Sequence, residues 1–318
     1  MCHRRLLRTG LAAAILTLLL AGCVRGDRAA GVTLPPPSIT PDAGPDVAAA
    51  SPTVTPPPTA TATPTSTPTP TPTITPTPTP TPTPPAWRPL APGISEVEVA
   101  APIPGRDDGA VFWVYAVRLD PDVVTFRVFH DVEAHSIEEW HAITGADVTV
   151  NGGFFFGTHQ PQGRLVIDGE MIGTPLDPEQ RIGVPGLFAV LDGKVSITSL
   201  GRSRYTPRGL RFDQAVEAYP MLLLPGRQPA YPPVDGDRAR RTVIGIDADG
   251  NVILLLIDGP IFSLVELANW LAESNLNLDV ALNLDGGRSS AMMVTAGGTR
   301  TVIPSYVPLP IVIGVYGR

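Results

Sequence analysis

The sequence has almost no cysteine, since the only two cysteines among its 318 residues are Cys2 and Cys23. Everything after residue 23 therefore lacks a thiol nucleophile, cysteine ligands for zinc and any internal disulfide. A domain built from these residues must be stabilised by burial of its core. The roughly 225 residues from position 93 onward are ample for one large core.

Histidine is also scarce, and the last of the five histidines is His159. A serine hydrolase of the nucleophile-elbow type needs a histidine that follows its serine in the chain. No histidine follows His159, so no serine beyond that residue has this partner. The remaining histidines show no metal-site spacing, and the zinc-protease motif H-E-x-x-H does not occur. Phosphate-binding P-loops and dinucleotide fingerprints are absent as well. These absences exclude several common hydrolase and nucleotide-binding mechanisms.

The chain also lacks an excess of positive charge and a hydrophobic run long enough to cross a bilayer. Its formal net charge is −7, which gives no basis for nucleic-acid binding. The apolar run over residues 11–20 follows basic residues and is too short to span a membrane. A basic end followed by a short apolar run is typical of a secretory signal.

The signal ends in Leu20-Ala-Gly-Cys23, which resembles a bacterial lipobox. Residues 1–23 are therefore predicted to be a lipoprotein signal peptide, with a lipid anchor to the membrane at Cys23. The alternative is an ordinary cleaved signal with an incidental cysteine. Both interpretations place the mature protein outside the cytoplasm.

Residues 24–92 are dominated by proline and threonine. Residues 51–85 contain 14 prolines and 15 threonines in 35 positions. Because proline lacks a backbone donor and restricts φ, this stretch is predicted to be an extended, disordered stalk of about 3.1 Å per residue. Such a stalk would hold a following domain away from a membrane.

Residues 93–318 have the composition of a folded domain rich in strands. Short apolar and β-branched stretches alternate with turn signals. Asp192-Gly193 and Asp249-Gly250 are typical hairpin turns. Ser136-Ile-Glu-Glu139 and Ser263-Leu-Val-Glu266 are typical capping boxes at helix starts. Many strands, hairpins and two helices predict an α+β fold, with largely antiparallel sheets in a single catalytic domain.

A strand that ends in polar residues and glycines predicts the functional site. Residues 278–284 are largely apolar and indicate a buried strand. An Asp-Gly-Gly run at 285–287 ends it, and two serines follow at 289–290. Adjacent glycines permit close approach of a ligand to the backbone. A plain Asp-Gly turn needs neither the second glycine nor the serines, nor Asn283 on the same strand face. We therefore predict a functional role for Asp285.

Similar groups lie at other strand ends or sheet edges. Asn151-Gly152-Gly153 repeats the pattern of a strand that ends in a polar residue and two glycines. The charged candidates are Glu217, Asp258, Asp285, Arg241 and Arg288. Paired carboxylates are the usual equipment for cleaving glycosidic bonds. Arginines suit a phosphate group, because the guanidinium fork matches its oxygens.

The order of these motifs resembles that of the phosphodiester glycosidase family. The motifs that carry the resemblance are Asn151-Gly-Gly-Phe-Phe155, Tyr219-Pro-Met-Leu-Leu223, Arg241-Thr-Val-Ile-Gly245, Ile257-Asp-Gly259, Glu266-Leu-Ala268 and Asn283-Leu-Asp-Gly-Gly-Arg-Ser-Ser290. They cover the chain from about residue 147 to its C-terminus. The family includes the lysosomal uncovering enzyme, which removes N-acetylglucosamine from a phosphodiester.

The resemblance implies a role for each candidate residue. Asp285 is expected to attack or stabilise the sugar cation, and Glu217 and Asp258 compete for proton transfer. Arg241 and Arg288 are expected to bind the phosphate. The expected substrate-orienting and substrate-approach residues are Asn151, Gly152, Gly153, Asn283, Gly286, Gly287 and Ser289. Two departures bear on substrate choice: Arg288 replaces a third glycine, and the loop after Asp258 is short and contains Pro260.

The sequence therefore predicts an extracytoplasmic hydrolase of a sugar 1-phosphodiester in a glycan, with no cofactor and no nucleic-acid partner. Two alternatives from other classes stay open. A non-catalytic glycan-binding or wall-binding module would keep the groove without turnover. A metal-dependent phosphodiesterase would bind a divalent cation through Asp258, Asp285 and Asn283.

Overall fold

The protein is described by a computed structural model that covers residues 84–176, 183–201, 211–230 and 236–318. The signal peptide, Cys23 and most of the predicted stalk lie outside these residues. The strands are β1 (Arg88–Ala91), β2 (Ile94–Pro102), β3 (Val111–Leu119), β4 (Val124–His135), β5 (Val148–Asn151), β6 (Leu165–Ile167), β7 (Glu170–Ile172), β8 (Gly186–Leu191), β9 (Lys194–Ser199), β10 (Gln214–Ala218), β11 (Met221–Leu224), β12 (Gln228–Pro229), β13 (Ala239–Asp247), β14 (Val252–Phe262), β15 (Leu278–Asn283), β16 (Met292–Val294), β17 (Thr301–Ile303) and β18 (Leu309–Gly317). The helices are α1 (Ile137–Thr144) and α2 (Leu264–Glu273).

The fold is mainly β, so the α+β prediction is wrong in class although right about antiparallel sheets and few helices. The two α-helices of the described residues are short, with 8 and 10 residues. Each helix covers part of one sheet face and forms no layer of its own. Both predicted capping boxes are confirmed, since Ser136 and Ser263 cap α1 and α2 and pair with Glu139 and Glu266.

The strands form three antiparallel sheets. The large sheet has eight strands in the order β1-β2-β3-β14-β13-β15-β11-β12. The second sheet has five, in the order β17-β16-β5-β18-β4, and the third has five, in the order β7-β6-β10-β8-β9. The predicted hairpin turns are confirmed: Asp192 and Gly193 have positive φ between β8 and β9, and residues 248–251 join β13 to β14.

The main core lies where the three sheets meet. It takes Ile244 from the large sheet, Val150 and Ile313 from the second, and Phe188 from the third. The opposite face of the large sheet is covered by α2, whose Leu267 packs with residues of β13 and β14. This arrangement leaves the ends of β5, β13 and β15 next to one another. No helix in the described ranges is long and apolar enough to span a membrane.

The last strand has a central place in the second sheet. β18 pairs with β5 on one side and with β4 on the other, so it lies between two strands from far earlier in the chain. Val312 is opposite Asn151 in this register, and the Gly152 N–H donates to the Ile311 carbonyl at 2.9 Å. The end of β5 is therefore held by the C-terminal strand.

Candidate active site

The residues of the site come together because β13 and β15 pair side by side. Val243 is opposite Asn283 in this pairing, and the Leu284 N–H donates to the Thr242 carbonyl at 2.9 Å. Continuing the same antiparallel register brings Arg241 next to Asp285. The Asp285 N–H donates to the Gly152 carbonyl at 3.1 Å, which adds the end of β5. Strands far apart in sequence thus place Arg241, Asp285 and Gly152 in one spot.

Asn151 holds these strand ends together through its side chain. Its Nδ2 donates to the Asp285 carbonyl at 2.7 Å. Its Oδ1 accepts from the Thr242 hydroxyl at 2.8 Å and from the Ala291 N–H at 3.0 Å. The residue is 1% exposed. These contacts are internal, so Asn151 is suited to position the backbone of Asp285. The sequence had suggested instead that Asn151 orients the sugar.

Asp285 begins a turn, residues 285–289, that we call the Asp285 turn. Its carboxylate is half-buried, and Oδ1 accepts from the Gly286 N–H at 2.8 Å. Burial raises the pKa of the carboxyl to about 6, against hydrogen bonds from the Ser289 side chain and the Gly286 backbone that lower it. A carboxyl that changes charge near pH 6 is a good candidate for catalysis.

The glycines around Asp285 serve packing more than ligand approach. A Cβ on Gly152 would lie 3.3 Å from Ile311 Cβ, and a Cβ on Gly153 would lie 2.9 Å from Val216 Cγ1. A Cβ on Gly286 would lie 3.1 Å from the Arg240 carbonyl oxygen, so this glycine lets the turn rest on β13. Gly287 differs, because it has φ +61 and open space around it. Of the four, Gly287 is the one with room for a ligand beside it.

Tyr219 lies at the site with its ring, although the sequence indicated only its motif and no role for the side chain. Its ring stacks on Phe154 at 4.4 Å, and its pKa is raised by burial and by the charge of Asp285. The Asn283 Nδ2 donates to the Tyr219 carbonyl at 2.9 Å, which ties β15 to this residue. The signal in the sequence was the Tyr219-Pro motif. It indicates a special backbone conformation and does not by itself show what the tyrosine ring contacts.

Asn283 retains an acceptor for a ligand. Its Oδ1 is buried and makes no hydrogen bond within the part of the chain that the structure describes. A buried polar atom without a partner costs free energy. An acceptor in this state beside Tyr219 fits the predicted role of Asn283 in orienting a sugar hydroxyl or amide.

Glu217 has Arg164 as its partner. Its side chain is fully enclosed, and Oε2 accepts from the Arg164 N–H at 3.0 Å and lies 3.5 Å from Arg164 Nε. It lies on β10 in the third sheet. The position follows from the strand's burial on both faces, which the sequence pattern did not reveal. Glu217 is suited to hold the Gly163–Arg164 segment.

Asp258 also has a partner other than Asp285. Its Oδ1 lies 2.6 Å from both Nε and Nη2 of Arg240. Arg240 is 6% exposed, and its guanidinium lies 4.3 Å from the ring centroid of Tyr306. Arg240 thus neutralises Asp258, the other carboxylate that had been expected to transfer a proton. Asp258 belongs to the wall of a separate cavity, described below.

The two arginines expected to bind phosphate differ in their surroundings. Arg241 is half-buried, and its Nη2 donates to the Asp237 carbonyl at 2.7 Å. Arg288 is exposed, its Nη2 is 3.5 Å from the Tyr306 carbonyl, and its own carbonyl accepts from the Tyr306 N–H at 2.7 Å. Arg241 is the better held of the two. Arg288 extends from the Asp285 turn toward solvent.

The described residues contain no cluster of three or more His, Cys, Asp or Glu side chains that could share a metal ion. The metal-site alternative had grouped Asp258, Asp285 and Asn283. The structure instead pairs Asp258 with Arg240, while the polar neighbours of the Asp285 carboxylate are Ser289 and Gly286.

Comparisons with family models and with solved structures find matches. A comparison with curated proteins finds no match. Among solved structures, the catalytic domain of zebrafish N-acetylglucosamine-1-phosphodiester alpha-N-acetylglucosaminidase, described as auto-inhibited by its pro-peptide, shares the fold with a TM-score of 0.55. The match has 18% identity and covers 72% of this chain and 85% of that one.

A hypothetical protein from Synechocystis aligns with 17% identity over 71% of this chain and 62% of its own, with a TM-score of 0.49. A model of the phosphodiester glycosidase family matches residues 144–316, which is more than half of the chain. This range includes Asn151, Arg241 and the whole Asp285 turn. The chain therefore belongs to the phosphodiester glycosidase family.

Proposed function

We propose that the protein hydrolyses the glycosidic bond of a sugar 1-phosphodiester, with Asp285 as its catalytic carboxylate. The observation that carries this proposal is the environment of Asp285: a half-buried carboxylate with a raised pKa, held by Ser289 and Gly286. Gly286 in turn lies against Arg241. Family membership supports the reaction class. The zebrafish relative's name makes N-acetylglucosamine the first sugar to test.

A single carboxylate is sufficient for this substrate class. An ordinary glycosidase uses a second carboxyl group to protonate the leaving oxygen. The two other candidate carboxylates are each paired with an arginine, Glu217 with Arg164 and Asp258 with Arg240. A phosphomonoester departs without strong protonation, because its negative charge is spread over several oxygens. The lone carboxylate thus favours a phosphodiester over a simple glycoside.

The proposed reaction assigns a task to each group in the site. The C1–O bond breaks, the phosphomonoester leaves with the bonding electrons, and the Asp285 carboxylate attacks C1 or stabilises its positive charge. Water then attacks C1, displacing the Asp285 carboxylate wherever a covalent bond to it has formed, and gives up a proton to solvent. Arg241, with Arg288 at the rim, binds the phosphate. Asn283 and the Tyr219 ring orient the sugar.

The reaction class is tested with a matched pair of substrates. N-acetylglucosamine 1-(methyl phosphate) and the aryl N-acetylglucosaminide of the same anomeric configuration differ in whether a phosphate is the leaving group. We expect free sugar from the first and at least about 100-fold slower release from the second, because only the first engages Arg241 and leaves without an acid. Extending the pair to other sugars separates a wrong sugar from a wrong reaction. Faster cleavage of the aryl glycosides would contradict the proposal, and binding without release from any phosphodiester would favour a binding module.

We also propose that the protein is anchored outside the cytoplasm through a lipid on Cys23. The support is the lipobox-like Leu20-Ala-Gly-Cys23 after a short apolar run. Cys23→Ala should move the protein from the membrane fraction to the soluble fraction, because the thiol that receives the lipid is lost. Immunoblotting of fractionated cells measures this, with Cys2→Ala as the matched control. A Cys23→Ala protein that stays with the membranes would exclude the anchor.

A further inference from the structure

A cavity outside the Asp285 site contains aromatic and charged side chains that the proposed reaction does not use. It has a volume of about 770 Å³ and is lined by β1, β2, β3, β14 and β17. Its size is within the usual range of about 300–1,000 Å³ for small-molecule sites. We call it the Trp113 cavity, and the lining residues used here are Arg88, Glu96, Glu98, Trp113, Tyr115 and Asp258.

The floor of the cavity is a hydrogen-bonded network. The Tyr115 hydroxyl donates to Glu96 Oε2 at 2.5 Å, and Arg88 forms an ion pair with the other oxygen of Glu96. Thr301, which also lines the cavity, hydrogen-bonds to Tyr115 through its side chain. Glu96 is 8% exposed. A buried carboxylate fixed from two sides presents a rigid polar surface, and rigidity lowers the entropy cost of binding.

The walls add a flat apolar surface and acceptors. Trp113 is 58% exposed, which is unusual for an indole. Both Arg240 contacts to Asp258 use Oδ1, so Oδ2 is left for a ligand. Glu98 is exposed and contributes another carboxylate. The cavity therefore offers the exposed indole of Trp113 together with carboxylate acceptors from Asp258 and Glu98.

These groups match the surface of a sugar ring. The face of a sugar carries C–H groups with partial positive charge, which are attracted to the negative face of an indole. The ring edge carries hydroxyl groups, which donate to carboxylates and accept from guanidinium groups. The arginines Arg88 and Arg240 are already paired with carboxylates, while Glu98 adds negative charge. The cavity therefore favours neutral sugars or amino sugars over anionic ones.

The cavity is connected to the active site through Arg240. Its side chain pairs with Asp258 at the cavity wall and stacks on Tyr306, whose N–H donates to the carbonyl of Arg288. The Arg240 carbonyl oxygen is the neighbour that packs against Gly286 of the Asp285 turn. Arg240 thus contacts the cavity wall with its side chain and the Asp285 turn with its backbone.

We propose that the Trp113 cavity is a subsite for a neutral or amino sugar of a longer glycan, stacked on Trp113 and hydrogen-bonded by Asp258 and the Arg88–Glu96 pair. As a subsite for substrate it rests on the proposed function, since it extends the glycan whose phosphodiester lies at Asp285. It makes the enzyme selective for phosphodiesters that carry an oligosaccharide. Short substrates reach Asp285 without it.

The binding test uses the full-length protein with Asp285→Asn, so that no probe is consumed. Chitotriose and cellotriose represent amino-sugar and neutral probes, and trigalacturonic acid represents an anionic one. We expect saturable calorimetric binding of at least one of the first two, weaker binding of the third, and about tenfold weaker binding after Trp113→Ala. Met171→Ala, which changes another exposed hydrophobic side chain of 63% exposure on β7, is the control and should not alter binding.

The kinetic test uses the active enzyme. Trp113→Ala should lower kcat/KM about tenfold for a phosphodiester extended by an oligosaccharide, and leave it within about twofold for the methyl phosphodiester. Equal effects on both substrates, or no trisaccharide binding at all, would overturn the subsite. Binding that depends on Trp113 without sugar release from any phosphodiester would instead overturn the proposed reaction and leave the glycan site. Sugar release combined with glycan binding that does not depend on Trp113 would overturn the subsite and leave the proposed reaction standing.

Discussion

Asp285→Asn should reduce sugar release from a sugar 1-phosphodiester by at least about 10³-fold and yet make the folded protein more stable at pH 8. Asparagine keeps the acceptor for the Gly286 N–H but removes the charge that attacks or stabilises C1. Released sugar and a denaturant titration measure the two effects. Activity within tenfold of the unmodified protein would contradict the catalytic assignment.

The gain in stability depends on pH, and its direction follows from the raised pKa. Because the pKa of Asp285 is about 6 in the folded protein and near 3.8 when exposed, the folded state holds the proton more tightly. The wild-type protein is therefore stabilised as pH falls from about 6 toward 4, and the charged carboxylate costs stability above pH 6. Asp285→Asn should add about 1–2 kcal/mol at pH 8, after discounting for partial exposure, and much less at pH 4.5. A variant less stable than wild type at pH 8 would show that the charge is compensated in the fold.

The same group should shape the pH dependence of the rate. If ionised Asp285 is required, kcat/KM falls as pH drops through about 6. Ser289→Ala removes a hydrogen bond that lowers the pKa, so this acid limb should move to higher pH. A profile with no acid limb near pH 6, or one that Ser289→Ala leaves in place, would argue for a different carboxylate.

The second large effect is expected from Asn151→Ala. The substitution leaves the Thr242 hydroxyl, the Ala291 N–H and the Asp285 carbonyl without the partner they have now. Since each buried group without a partner costs about 1–3 kcal/mol, the free energy of unfolding should fall by about 3 kcal/mol or more. Activity should fall with it, because the Asp285 backbone loses its support.

Thr242→Val is the matched control for this effect. It removes one donor to Asn151 Oδ1, which keeps its bond from the Ala291 N–H, so the cost should be only about 1 kcal/mol. Both variants are compared by urea denaturation and by kcat at a temperature where each is folded. Equal stability of the two would show that Asn151 does not hold the strands, and unchanged kcat in Asn151→Ala would show that it does not position Asp285.

The sequence was most informative where local chemistry decides structure. Ser136 and Ser263 cap helices because a hydroxyl beside free N–H groups and a glutamate three residues on leave little choice. The turns at Asp192 and Asp249 follow from the preference of Asp-Gly for tight hairpins. The run after residue 284 could be recognised as a site because it carried more polar and glycine residues than a turn needs. In each case the deciding groups are close together in the chain.

It was least informative where strand register decides the partner. Glu217 and Asp258 were expected near Asp285, but each strand presents its carboxylate to an arginine: Glu217 to Arg164 and Asp258 to Arg240. A one-residue change of register would turn either side chain to the other sheet face. The fold class was predicted wrongly for a related reason. Two capping boxes indicate that helices are present but not whether the helices form a layer of their own. Tyr219 was missed because its ring gains its role only from Phe154 and Asp285.

The central place of β18 in the second sheet has a consequence for when the site can form during synthesis of the chain. β5, which carries Asn151, is completed on one side only when residues 309–317 are present, and β18 also joins β4 from near the start of the domain. Contacts that span most of a chain form late and slowly, because the intervening segment must first be closed into a loop. The Asp285 turn therefore gains its support only after nearly the whole domain has emerged. A chain without residues 309–317 would therefore carry Asn151, Arg241 and the Asp285 turn but lack the strand that holds the end of β5.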